Sequence, residues 1–289
     1  MARYRPPFVF TDEQFYDAVQ KGMSVNEMAR VFGVNRSSIY KRIRRRNVSP
    51  QKKEPLFNEN IFDAIDTEEK AYWLGFLYAD GSVTNKYKRH VVEISLKEDD
   101  IVHLLKFNDF IGLDKKLHRV KVADAKCGDV VCRRCRIIVS SKHLCDTLEK
   151  YGCVPKKSLI LQFPNLSIFQ SEQLVYDFIR GYIDGDGSIR LVGKNVCTIY
   201  LSVLGTKEFL TGMLDVLKSP SDSYHIYHQH ENNTYTLVWK TKESRRIADL
   251  IYGNASISLD RKYGKYEFAV FYSNMRDNYR AKTVKAETR

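Results

Sequence analysis

Two short segments of this chain follow one pattern. Residues 73–81 read WLGFLYADG and residues 179–187 read IRGYIDGDG, and both continue with Ser and a β-branched residue. Each is an apolar run with small residues four positions apart, Gly75 and Ala79 in the first and Gly181 and Gly185 in the second. Positions i and i+4 share one helix face, so each predicted helix has a notched stripe that another helix can approach closely.

Packing of the two notched stripes would bring Asp80 and Asp186 side by side, although they are 106 positions apart in the chain. A helix C-terminus already carries partial negative charge, and a second carboxylate adds repulsion between like charges. A chain that builds this arrangement twice is expected to neutralise it. The paired motifs therefore predict a divalent-metal site.

The charge of the chain is concentrated at its ends. The net charge is +12 over 289 residues, and residues 1–53 hold twelve Lys and Arg against four Asp and Glu. This excess predicts a polyanionic partner. The sequence has neither an apolar run long enough for a membrane span nor a signal peptide, and six cysteines do not make a disulfide framework. A cytoplasmic location is expected, for instance in a bacterial or phage-infected cell.

The first fifty residues predict a small all-α helix-turn-helix domain. Thr-x-x-Gln at residues 11–14 and Ser-x-x-Glu at residues 24–27 are capping boxes, and Gly33 turns the chain into a basic third helix over 36–45. A small charged bundle that binds no nucleic acid is the alternative. The residues predicted to contact DNA bases or phosphates are Arg36, Ser37, Ser38, Lys41, Arg42, Arg44, Arg45 and Arg46.

The remainder of the chain predicts a duplicated module. Residues 51–57 are a proline-containing linker, and units over 58–165 and 166–273 each begin with a motif helix and continue with alternating strands. Such alternation indicates sheets with one dry face and one polar face. The basic residues 274–289 lack periodicity and are expected to form a mobile tail.

A lysine follows each motif at nearly the same distance. Lys157 lies 77 positions after Asp80, and Lys262 lies 76 positions after Asp186. A lysine near a metal centre can offset phosphate charge in a transition state or lower the pKa of an attacking water. The alternative is a pair of ordinary surface lysines.

At these residues the sequence resembles the single-chain, two-motif LAGLIDADG homing endonucleases. The resemblance implies an α/β (mixed α+β) fold, a pseudo-twofold αββαββα module with antiparallel saddle sheets across a DNA major groove. It implies that Asp80 and Asp186 bind Mg²⁺, with Mn²⁺ able to substitute, helped by the carbonyls of Ala79 and Gly185. Lys157 and Lys262 match the family's basic catalytic positions.

The implied reaction is hydrolysis of both strands of a DNA target by metal-activated water, without a covalent intermediate. The target would be long and pseudo-palindromic or asymmetric, and the protein a monomer that needs no protein partner. The chain neither begins with Cys or Ser nor ends in His-Asn, so a free-standing or intron-encoded element is expected rather than an intein. Candidate DNA contacts on the strands are Arg119, Lys121, Arg134, Arg136, Arg190 and His228.

Other functions stay open at this stage. A DNA-binding transcription regulator could use the same scaffold without cutting, and so could an intron RNA maturase; two aspartates and a helix-turn-helix favour DNA cleavage over either. The spacing of Cys127, Cys132 and Cys135, with Cys145, allows a zinc site, although no second Cys-x-x-Cys follows. Zinc is the less favoured interpretation of these thiols.

Overall fold

The contacts of the chain divide it into two units, Met1–Pro55 and Leu56–Arg289. A computed structural model describes residues 10–48, 57–113, 121–127, 130–193, 198–229 and 232–287, and for residues 121–127, 130–132 and 277–287 it describes the backbone alone. The predicted linker over 51–57 lies almost entirely outside these ranges.

The first unit contains three helices, α1 (Asp12–Gln20), α2 (Val25–Val31) and α3 (Arg36–Arg46). Both predicted capping boxes are confirmed, since Thr11 and Ser24 each exchange hydrogen bonds with the residue three positions later. Gly33 has a φ of +62° in the turn before α3, a conformation that costs glycine little. The buried apolar side chains of this unit are Phe10, Phe15, Ala18, Val19, Met28, Ala29 and Ile39.

The second unit repeats one order of elements. In its first half come α4 (Glu68–Asp80), β1 (Gly81–Lys86), β2 (Arg89–Lys97), α5 (Ile101–Phe110), β3 (Lys121–Cys127), β4 (Val130–Val139) and α6 (Lys142–Lys150). In its second half come α7 (Glu172–Asp186), β5 (Gly187–Val192), β6 (Thr198–Gly205), α8 (Lys207–Leu217), β7 (Tyr224–His228), β8 (Tyr235–Trp239), α9 (Thr241–Tyr252) and α10 (Asp260–Glu287). The predicted αββαββα duplication is confirmed.

The two motif helices, α4 and α7, pack on each other through their glycines. A β-carbon added to Gly75 would collide with the carbonyl oxygen of Phe178, and one added to Gly181 would collide with that of Tyr72. Close approach of the two backbones therefore requires glycine at both positions. This confirms the predicted contact between notched stripes.

Each half contains a four-stranded antiparallel sheet. The strand orders are β1-β2-β4-β3 and β5-β6-β8-β7, and the motif glycines begin both sheets, with Gly81 opposite Ile94 and Gly187 opposite Val203. Alternate residues of β2 and β6 are buried against the helices. The other face of each sheet is the open face, a term used below for the side that carries Ser82 and Ser188.

The C-terminal residues are helical where a tail without regular structure was expected. Helix α10 runs from Asp260 to Glu287, so the segment from Asn274 continues a helix that starts in the core. Its buried residues Tyr266 and Ala269 anchor the first turns. Among the described helices, none combines the length and the apolar character needed to cross a bilayer.

Candidate metal centre and nucleic-acid interface

Asp80 and Asp186 are the last residues of the packed helices α4 and α7. The helices end there because Gly81 and Gly187 are extended and start strands at once. Neither helix has a basic residue in its last turn, so neither helix offsets the negative end of its dipole with a side chain of its own. A β-carbon on Gly185 would lie 3.4 Å from Oδ2 of Asp80, which places one carboxylate against the end of the other helix.

The electrostatics of this pair favour a bound cation. Burial, followed by the negative charge of Asp80, raises the pKa of Asp186 to about 6. Burial also raises the pKa of Asp80, although Lys262 and Lys157 act in the opposite direction. Two partly buried carboxylates that disfavour each other's ionised form gain stability when a divalent cation binds between them.

The donor set suits a hard cation. Among the described residues, no group of three or more His, Cys, Asp or Glu side chains is arranged to hold a metal ion. Mg²⁺ is commonly held by one or two carboxylates together with water and substrate phosphate oxygens. Two aspartates at one junction therefore fit Mg²⁺ better than a metal that requires a full cage of protein ligands.

Lys157 crosses the end of α4. It opens a short 3₁₀ turn, and Lys156 before it has a φ of +58°. The Lys157 side chain is buried, and its Nζ donates to the carbonyl oxygens of Gly81 and Ala79, the latter at 3.4 Å. An ammonium group thus lies at the negative end of the first motif helix.

Lys262 occupies the matching place at the end of α7. Its Nζ donates to the carbonyl oxygens of Ile183 and Asp184, both at 2.7 Å, and of Gly187 at 2.6 Å. Burial lowers the pKa of Lys262 to about 8. The carbonyl of Gly185, one of the two carbonyls expected to help the aspartates bind the metal, is 3.5 Å from this ammonium. The structure therefore brings both lysines to the two aspartates.

A cavity of about 420 Å³ opens beside Asp80. Arg134 forms one wall, where its guanidinium donates to the hydroxyl and carbonyl of Ser95. Arg261 forms another wall and bridges to Asp100, with Nε 3.0 Å from Oδ1. Neither Arg261 nor Asp100 is predicted to belong to the site, because their contact joins residues far apart in the chain.

The open faces carry part of the predicted DNA contacts. Arg190 is exposed on β5 above the ring of Tyr200, and Arg136 is exposed on β4 with Glu93 3.8 Å away. His228 is different, because it shares the core-facing side of β7 with Tyr224 and Ile226. On that strand His225, which the analysis did not select, is the exposed histidine of the open face. Arg119 and the side chain of Lys121 lie outside the described residues.

The third helix of the first unit presents a basic surface. Its exposed residues are Arg36, Ser37, Tyr40, Lys41, Arg44, Arg45 and Arg46, and Ser38 is half-buried. The prediction for Arg42 was wrong. Its guanidinium is buried, 2.5 Å from Asp12 and above the ring of Phe10, so it stabilises the unit instead of facing a groove. Ser37 and Ser38 both donate hydroxyl hydrogens to the capping Asn35.

Known proteins match this chain in two ways. Residues 17–49 match the family model for the helix-turn-helix, Psq domain. Three similar solved structures are I-SmaMI bound to uncleaveable DNA, I-GzeII with its DNA target, and I-LtrWI bound to target DNA. All three are LAGLIDADG homing endonucleases or meganucleases. No protein of curated function gives a significant match.

The overall likeness to these structures is distant. The sequence of I-SmaMI is 15% identical to this chain, and the TM-score is 0.45. The aligned region covers 72% of this chain and 90% of the I-SmaMI chain. I-GzeII is 13% identical with a TM-score of 0.48, covering 72% and 91%. I-LtrWI is 11% identical with a TM-score of 0.43, covering 76% and 92%. These structures come from the family that the two motifs resemble.

Proposed function

We propose that this protein is a site-specific DNA endonuclease that cuts both strands of a duplex at one centre. The observation that supports it is the junction of α4 and α7, where Asp80 and Asp186 meet and a buried lysine lies against each helix end. Structural ion pairs would place each lysine on a carboxylate. Here the ammonium groups bond to backbone carbonyls and not to the carboxylates.

Asp80 and Asp186 would hold Mg²⁺. The ion would supply activation of a water molecule and stabilisation of the attacking and leaving oxygens of a phosphodiester. The side chains of the protein would supply further positive charge. Lys157 and Lys262 keep positive charge within reach of the developing phosphorane charge, and the carbonyls that hold them fix their positions before substrate binds.

The two sheets suit a duplex substrate. Each motif helix ends where a sheet begins, so the open faces of both sheets start at the same junction as the two aspartates. Two-stranded and larger β surfaces can enter a major groove, where every base pair presents a distinct pattern of donors and acceptors. Because the two halves differ in sequence, their half-sites can differ, and one chain can bind an asymmetric target.

The first unit would add affinity outside the cleaved site. Its third helix exposes five basic side chains, and residues 1–53 carry +8 of the net charge. A second DNA-binding unit joined by a linker raises the effective concentration of the first on the same molecule. Salt should therefore weaken binding steeply, because each phosphate contact releases counterions.

The proposal is tested by selecting targets from a random DNA library with the full-length protein and sequencing the cut ends. Cutting is expected in Mg²⁺ and not in EDTA, and Asp80→Asn and Asp186→Asn should abolish it while binding in Ca²⁺ persists. Asp109→Asn, the same change at an exposed site on α5, is the matched control and should cut normally. Specific binding without cutting by the wild type would instead indicate a regulator, and preference for structured RNA would indicate a maturase.

A further inference from the structure

The second motif carries a buried carboxylate that does not face the metal centre. Asp184 is fully buried two positions before Asp186, and three groups donate to its oxygens. These are the hydroxyl of Tyr72 on α4 at 2.7 Å, the hydroxyl of Tyr252 on α9 at 2.6 Å and the backbone N–H of Leu259 at 2.7 Å. A buried carboxylate of this kind is tolerated because charged acceptors form strong hydrogen bonds.

The bond to Leu259 fixes the start of α10. The carbonyl of Leu259 accepts the N–H groups of Lys262 at 2.9 Å and Tyr263 at 3.0 Å, so Leu259 begins the first turn of the helix. One turn later the Lys262 ammonium returns to the carbonyl of Asp184. Asp184 therefore holds the segment that carries Lys262 through its side chain and holds the ammonium itself through its backbone.

In the first half of the second unit, the segment that carries the lysine is not held by a carboxylate of the motif helix. The position equivalent to Asp184 is Tyr78, whose hydroxyl donates to the carbonyl of Tyr151. Val154, which precedes Lys157 as Leu259 precedes Lys262, donates its N–H to the carbonyl of Gly152 at 2.9 Å. The Lys157 segment is thus held by its own turn, and no carboxylate of α4 reaches it.

The geometry points to Asp184 as a positioning residue for Lys262, and through it for the cutting of one of the two DNA strands. This inference rests on the proposed function, because it assigns a strand to each lysine. Loss of the carboxylate would leave the N–H of Leu259 without its acceptor and let the first turn of α10 shift. A displacement of the order of 1 Å at a reacting centre can cost about 100-fold in rate.

The cleavage test uses supercoiled plasmid with a selected target, where one cut gives nicked circles and two cuts give linear DNA. Asp184→Leu, which has no oxygen to accept the N–H of Leu259, should accumulate nicked circles, with the second cut slowed roughly 100-fold. The nick should lie on the strand left cut by Lys262→Met, and Lys157→Met should leave the opposite strand cut. Tyr78→Phe, the change at the equivalent position of α4, should give linear DNA at the wild-type rate. Equal slowing of both strands by Asp184→Leu would overturn the inference.

A second measurement needs no DNA and separates this inference from the proposed function. Amide hydrogen exchange in the peptide that spans residues 255–265 should accelerate about tenfold in Asp184→Leu, with α4 and the sheets unchanged. Tyr78→Phe should leave that peptide protected. A positioning role would be contradicted by faster exchange throughout the second unit. It would also be contradicted if exchange in this peptide did not accelerate. If the wild type cuts no DNA but the local exchange result holds, the proposed function fails and the structural link stands.

Discussion

Burial and the neighbouring carboxylate of Asp80 together raise the pKa of Asp186 to about 6. The folded protein therefore binds a proton at Asp186 more tightly than the unfolded chain does. At neutral pH the ionised group destabilises the folded state, and this cost disappears as the pH falls below about 4. The metal-free centre at neutral pH is therefore an unfavourable arrangement, and a divalent cation bound between the two carboxylates would relieve it.

Replacement of Asp186 by Asn should accordingly stabilise the metal-free protein. We expect the free energy of unfolding in EDTA at pH 7.5 to rise by about 2 kcal/mol in Asp186→Asn, and the gain to shrink towards pH 4. Addition of Mg²⁺ should raise the Tm of the wild type and not that of the variant. Denaturation with and without Mg²⁺ measures both effects. A variant less stable than the wild type, or stabilised equally by Mg²⁺, would disagree with a shared cation site.

The contact between the motif helices should tolerate no side chain at its glycines. Gly181→Ala would drive a methyl group into the carbonyl of Tyr72, and we expect a loss of about 3 kcal/mol or more. Gly264→Ala is the control, because a β-carbon there meets nothing within 4 Å on helix α10. That change should stabilise by roughly 0.5–1 kcal/mol through helix propensity. Equal effects of the two substitutions in urea denaturation would refute the packing argument.

A buried ion network in the second motif can be compared with its apolar counterpart in the first. Arg180 is almost fully buried and bonds to Asp177 and Glu68, at 2.7 and 2.6 Å. Arg180→Leu should cost roughly 3–5 kcal/mol, because it leaves the buried carboxylate of Asp177 without its charge partner. The equivalent positions of α4 hold Ala71 and Leu74.

The double variant Arg180→Leu with Asp177→Ala copies that apolar pair, so it should recover part of the stability lost in the single variant. Glu68 also loses its contact with Arg180 but keeps hydrogen bonds to the backbone N–H and hydroxyl of Ser256. A double variant as unstable as the sum of its single changes would argue against coupling.

Acid stability should depend on His103. Burial, followed by the charge of Lys106, lowers the pKa of His103 to about 3. The Nε2–H of the ring donates to the hydroxyl oxygen of Tyr72, whose own hydrogen goes to Asp184. The neutral ring favours the folded state above pH 6.5, and this contribution is lost as the pH falls from 6.5 towards 3. The loss should approach roughly 1.4 kcal/mol for each pH unit. His103→Phe keeps an aromatic ring at this position, so the free energy of unfolding of the variant should fall less steeply as the pH is lowered. Parallel curves of unfolding free energy against pH for the two proteins would show that His103 does not cause the loss.

Two neighbouring basic residues of the third helix should behave differently. Lys41 is exposed, so Lys41→Ala should weaken DNA binding and reduce the salt slope by about one, with no loss of stability. Arg42 lies between Asp12 and Phe10, so Arg42→Ala should lower the Tm of the first unit before it affects any DNA contact. Salt titrations of binding and thermal unfolding separate the two outcomes. A stable Arg42→Ala with a reduced salt slope would reverse this assignment.

Local patterns predicted which residues meet at the junction of α4 and α7. The repeated Asp-Gly ends and the small residues at Gly75 and Gly181 suffice to place two helix termini together, because helical periodicity fixes which face carries the notch. The nearly equal spacing from each aspartate also placed Lys157 and Lys262 at this junction. Their burial against carbonyls depends on the packed ends of other elements, and spacing alone does not contain that information.

Non-local contacts account for what the sequence did not predict. Arg42 sits on a basic helix, and only its contact with Asp12 and Phe10, thirty residues earlier, shows that it faces inward. The face of His228 depends on which side of β7 packs on the core, and strand alternation leaves that choice open. The role of Asp184 could not be predicted either, because the three groups that donate to it come from separate elements.

The most direct test of the shared centre is a single-turnover time course with both strands of a selected target labelled at different ends. Wild-type protein bound in Ca²⁺ and switched into Mg²⁺ should cut both strands, whereas Asp80→Asn and Asp186→Asn should bind with unchanged Kd and cut neither. Cutting of both strands by either variant at the wild-type rate, or cutting that persists in EDTA, would contradict a metal centre built from Asp80 and Asp186.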